Sequence, residues 1–77
     1  MAPAAQLPLA MVGEDETACV ARVRGDAETR QHLANLGFVE GSEVKVISRA
    51  AGDVIVSVKG ARLALNRAMA GRVTVTL

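Results

Sequence analysis

One thiol, Cys19, and one imidazole, His32, are the only groups of their kind in this 77-residue chain. An enzyme site needs a nucleophile, a base and a group that orients the base. His32 falls on a predicted helix, far in sequence from Cys19, and no local signature pairs the two. The ordinary reading is a surface histidine and a small thiol that is buried or half-buried. Glu14, Asp15 and Glu16 form a run of like charges that could crowd one another, but in a turn such a run is solvated. The phosphate-cradling pattern G-x-x-x-x-G-K does not occur. No catalytic residue and no cofactor is therefore expected.

Metal chemistry has candidates without spacing. Cys19, His32, Met11, Met69 and the acidic run are all potential ligands. None shows ligand spacing such as two histidines four apart on a helix, and there is no C-x-x-C pair. No metal-ligating set is assigned. Single-stranded nucleic acid is read on aromatic platforms, and this chain has no Tyr, no Trp and one Phe. Lys45, Arg49, Lys59, Arg62, Arg67 and Arg72 could meet phosphates, but a net charge of +1 gives that reading little force, and no nucleic-acid partner is expected. The same shortage of aromatics argues against a proline-peptide groove.

The elements that would carry these residues follow from pattern. A chain of this length holds one domain, and with 51% hydrophobic residues it can build a core without staples. That core is aliphatic, with eleven valines and only Phe38 as an aromatic. Residues 1–8 read as a flexible N-terminal tail rich in alanine and proline, and residues 9–77 as the domain. Leu9, Met11 and Val12 supply apolar contacts ahead of the acidic turn. Thr17 to Arg24 reads as a strand whose Val20 and Val23 have odd spacing, which predicts a bulge.

Asp26 suits the N-cap of a short helix, where its carboxylate accepts from the free N–H groups and its charge meets the positive helix end. Leu33 and Leu36, three apart, share one helix face. Gly37 sits where a left-handed residue closes a helix. Phe38 should then pack back on Leu33, as a Schellman stop requires. Downstream, Val44 and Val46, then Val54, Val56 and Val58, then Leu63 and Leu65, then Val73, Val75 and Leu77 alternate with other residues at period two. Turns at Ala50-Ala51-Gly52-Asp53 and Lys59-Gly60 separate them. The expectation is a mainly β fold: a small five-stranded SH3-like barrel with one short helix inserted after the first strand.

Charge is uneven along the chain. Residues 1–41 carry three basic and six acidic side chains (−3), residues 42–77 six basic and two acidic (+4). The asymmetry could orient the protein against an acidic partner, but the ordinary reading is a solvated strand surface. The uncharged stretch 1–13 contains two prolines and no preceding basic cluster, so it makes a poor signal peptide and is too short to span a bilayer. With a single cysteine, this favours a reducing, cytoplasmic setting.

The blocks Arg30-x-x-Leu33-x-x-Leu36-Gly37-Phe38-x-x-Gly41-x-x-Val44-x-Val46 and Gly52-Asp53-Val54-x-Val56-x-Val58-x-Gly60 follow one another in order. With the ending Leu63-Ala64-Leu65-Asn66-Arg67-x-x-Ala70-x-x-Val73-x-Val75, they resemble the FeoA family over about residues 9–77. The family often has Arg where Asn66 stands, and proline after Gly-Asp where Val54 stands. The resemblance implies a small cytosolic SH3-like accessory protein of ferrous-iron uptake. Its implied partner is FeoB, a membrane transporter with a cytosolic GTP-binding domain. The same fold forms the C-terminal domain of iron-dependent repressors, so a metal-binding or metal-sensing domain is the alternative. The partner is expected at the corner Phe38, Val39, Glu40 and Gly41, because Phe38 serves the helix stop and leaves Val39 at the surface. Exposed barrel edges would allow strand pairing between copies, which leaves a homo-oligomer open.

Overall fold

A computed structural model describes residues 5–77. The described residues form six strands and two helices. The strands are β1 (Gln6–Pro8), β2 (Thr17–Val23), β3 (Glu43–Ala50), β4 (Asp53–Val58), β5 (Ala61–Leu65) and β6 (Val73–Thr76). Helix α1 spans Ala27–Asn35, α2 spans Arg67–Ala70, and a 3-10 turn covers Leu9–Met11. All strands lie antiparallel in one sheet ordered β1-β6-β2-β3-β4-β5. The edges β1 and β5 do not pair among the described residues. The barrel is thus open, and α2 packs between the 3-10 turn and strands β4 and β5.

The expected mainly β, SH3-like fold is present, with two differences in detail. There are six strands rather than five, and the helix follows the second strand rather than the first. The extra strand is β1, where Gln6, Leu7 and Pro8 pair with Thr76, Val75 and Thr74. Those residues were expected in the flexible tail. Three residues ending in proline carry almost no local strand signal, and their pairing partner lies at the far end of the chain. Residues 1–4 of that tail lie outside the described residues.

Two-residue hairpins set the β3–β4–β5 register. Ala50 pairs with Asp53 across Ala51-Gly52, and Val58 pairs with Ala61 across Lys59-Gly60. Ala51 (φ 53°) and Gly52 (φ 87°), like Lys59 (φ 51°) and Gly60 (φ 80°), take positive φ at both central positions. This is the type I′ geometry whose twist matches that of the strands. With the register fixed, Val44, Val46, Val54, Val56, Val58 and Leu65 all point inward. They meet Leu9, Val12, Ala18, Val20, Leu33, Phe38, Ala70, Val73 and Val75 in one aliphatic core, which contains no buried polar side chain among the described residues.

The predicted bulge is present: the β2–β6 register shifts between Val20 and Arg22. It changes the phase of β2 only beyond Val20, and the regular alternation before it corrects the reading of Cys19. Ala18 and Val20 face the core, so Cys19 lies on the outer face and is exposed. Met11, expected to make apolar contacts, is 71% exposed, and Leu77, expected to finish the last strand, is 57% exposed. Met11 ends the 3-10 turn, where Leu9 and Val12 already occupy the inward positions, and Leu77 lies past the end of β6 at Thr76.

Candidate partner-binding corner

The corner after α1 is built by backbone hydrogen bonds. Asp26 caps the helix start, accepting from the Thr29 N–H at 2.8 Å. That bond, first through the backbone, holds the Asp26 carboxyl below its ordinary 3.8, with Arg72 and Arg30 adding smaller pulls in the same direction. At the helix end the Phe38 N–H reaches the Leu33 carbonyl at 3.0 Å, and the Gly37 N–H reaches the Ala34 carbonyl at 3.0 Å. This is the Schellman pair of bonds, and it needs Gly37 at φ 111°, a conformation side chains resist. Phe38 is then driven into the core beside Leu33, both with no exposed surface.

The chain turns at once a second time. The Ser42 N–H donates to the Val39 carbonyl at 3.0 Å, closing a β-turn with Gly41 (φ 88°) in its third position. Positive φ at that position is why glycine is needed there. The turn is fastened to β2: Gly41 N–H donates to the Val20 carbonyl and Val20 N–H donates to the Ser42 carbonyl, each at 2.8 Å. Glu40 and Gly41 are exposed at the tip, and Val39 keeps 39% of its surface in solvent.

Of the four residues expected at a partner contact, the structure therefore leaves three at the surface. Phe38 is corrected to the core: with no exposed area it can act on a partner only by holding the corner in place. Val39, Glu40 and Gly41 form an apolar and acidic tip supported by six backbone hydrogen bonds, namely the two at the helix stop, the Val39 N–H to the Gly37 carbonyl, the turn closure and the two to Val20.

The other sequence candidates do not assemble. His32 and Met69 both line a shallow depression, together with Asp26, Glu28 and Thr29. Asp26 already spends an oxygen on the Thr29 N–H, and no group of three His, Cys, Asp or Glu side chains converges among the described residues. Cys19 lies elsewhere, opposite Glu43 and Thr76 on the outer face. The acidic turn has structural work: Glu16 accepts from the Gly13 N–H, and Glu14 accepts from the Arg49 N–H. The Arg49 guanidinium also donates to the Val12 carbonyl. This tie between the turn and β3 had no signal in the sequence, because its partners are more than thirty residues apart. No helix among the described residues is long and apolar enough to cross a membrane.

The model of the FeoA domain matches residues 7–77. An Fe(2+) transport protein A of Methanocaldococcus jannaschii is 35% identical over 68 residues, covering 88% of this chain and 83% of that protein. A crystal structure of an iron uptake regulatory protein, FeoA, superimposes with a TM-score of 0.84 at 32% identity, covering 92% of this chain and 95% of the other. The zinc complex of Stenotrophomonas maltophilia FeoA, described as a prokaryotic SH3-domain protein, matches at a TM-score of 0.77 and 29% identity, over 87% and 86% of the two chains. A manganese-dependent transcriptional repressor shares the fold, at a TM-score of 0.86 and 23% identity, over 97% of this chain but 43% of its own length. With the family model matched over residues 7–77 and a relative 35% identical over most of both chains, this chain belongs to the FeoA family of ferrous-iron transport proteins.

Proposed function

We propose that this protein is a cytoplasmic accessory module that binds the cytosolic side of a ferrous-iron transporter of the FeoB type and regulates or assembles it. The observation that carries the reading is the Val39-Glu40-Gly41 tip, where an apolar side chain is held outward by a hydrogen-bonded corner in a domain of the FeoA family. A preformed tip loses little conformational entropy on docking, so one valine in an apolar socket can contribute usefully to affinity. Glu40 beside it would favour a basic group at the socket rim.

The test is calorimetry between the full chain and the purified cytosolic GTP-binding domain of the transporter. Val39→Asp places a charge in the socket and should weaken binding at least about tenfold while the thermal midpoint stays near that of the parent protein. Unchanged affinity would remove the tip from the contact. The metal-sensing alternative rests on the fold it shares with the repressor, a likeness of fold alone. Stoichiometric, sub-micromolar Fe(II) or Mn(II) binding by the isolated chain would favour it.

A further inference from the structure

The two edges of the sheet are not equivalent. β1 is three residues long and ends in Pro8, which has no N–H to offer. β5 is five residues long, has no proline, and pairs with β4 on one side only among the described residues. Val58 and Ala61 flank the two-residue turn and so form a hydrogen-bonded pair. The ladder alternates from there. Ala61, Leu63 and Leu65 therefore direct their N–H and C=O groups at β4, while Arg62 and Ala64 direct theirs away from the sheet. No turn, loop or side-chain hydrogen bond reaches these outward groups among the described residues, and both residues are exposed.

We propose that β5 pairs antiparallel with β5 of a second copy, about a two-fold axis through Leu63. The register follows from the outward groups. Pairing Arg62 with its own copy sets two guanidinium groups directly opposite each other. Pairing Ala64 with its own copy leaves Arg62 facing Asn66, whose side chain already accepts from the Met69 N–H. Pairing Arg62 with Ala64 of the second copy uses all four outward groups at once and sets each guanidinium beside a methyl. It also brings half-buried Leu63 against its copy on the core side of the sheet. The contact is isologous and closes on itself, so it yields a dimer and no fibre. A strand of five residues buries less than a standard stable interface, so the dimer is weak.

Sedimentation of the full chain from about 10 µM to 1 mM, with amide exchange followed by NMR, tests this. The expected result is a dimer fraction that grows with concentration, accompanied by protection at the Arg62 and Ala64 amides. Ala64→Lys sets a lysine against each Arg62 and should raise the dimer Kd about tenfold, with the fold intact because the site is exposed. The double variant Arg62→Glu with Ala64→Lys should restore dimerisation in a salt-sensitive form. A chain that stays monomeric at about 1 mM overturns the proposal. So does a dimer indifferent to Ala64→Lys.

Discussion

Replacing Phe38 with alanine separates the role of the corner's foundation from that of its tip. Phe38 is the single aromatic and is fully buried. Removing it costs transfer free energy plus a cavity, together about 3–5 kcal/mol. At roughly 0.05–0.15 kcal/mol per residue, a domain of 77 residues has only about 4–12 kcal/mol of stability in total. The unfolding entropy expected for this length is about 0.16 kcal/mol/K, so each kcal/mol moves Tm by about 6 °C. Phe38→Ala should therefore lower Tm by about 20–30 °C and leave a fraction of the chain unfolded at 37 °C. Phe38→Leu, which keeps most of the volume, should cost about 1.5 kcal/mol or less and lower Tm by less than about 9 °C. Val39→Asp, at the exposed tip, should stay within about 0.5 kcal/mol of the parent. Thermal melts followed by far-UV circular dichroism, with urea titrations as a second measure, read all three. A loss of under about 6 °C for Phe38→Ala would refute the view that this side chain anchors the corner. A Val39→Asp melt as damaged as that of Phe38→Ala would make Val39 a core residue and undo its assignment to the tip.

The hairpin turns and the helix cap make further predictions. Ala51 holds φ 53° where asparagine or glycine is preferred, so Ala51→Asn should raise stability by about 0.5–1 kcal/mol, or Tm by about 3–6 °C; Lys59→Asn should act similarly in the second hairpin. A fall in Tm for both would show that the turns are not of the type I′ form. The Asp26 carboxyl is held below 3.8 in the folded protein, so its contribution is present above that ordinary value and is lost as pH falls through the lower folded value. Stability measured below pH 3.8 should then fall less steeply in Asp26→Asn, which keeps a capping oxygen without titrating, and parallel acid limbs would remove Asp26 from the acid response.

What could be read in the sequence were the features whose causes are local. The Asp26 cap, the Gly37 stop and the two hairpin turns depend on residues within five positions of each other, where backbone geometry leaves few choices. The odd spacing of Val20 and Val23 marked the bulge because two side chains cannot share a face at that separation without one. Glycine at position 41 was legible as part of a family pattern, but its role in closing the turn onto Val20 was not.

The ordered run of glycines, valines and leucines is enough to determine an SH3-like domain of the FeoA family, since each piece constrains its own backbone and together they admit one alternation of faces. Tertiary structure alone decided the placements that hang on residues distant in the chain. The β1 strand exists because β6 offers it an edge about seventy residues away. Cys19 faces outward because it lies between Ala18 and Val20, which β2 turns to the core, and Glu14 serves Arg49 because β3 passes beside the acidic turn. At the corner, Phe38 goes to the core, as its place after the helix stop requires, and the turn fastened to Val20 leaves Val39 at the surface.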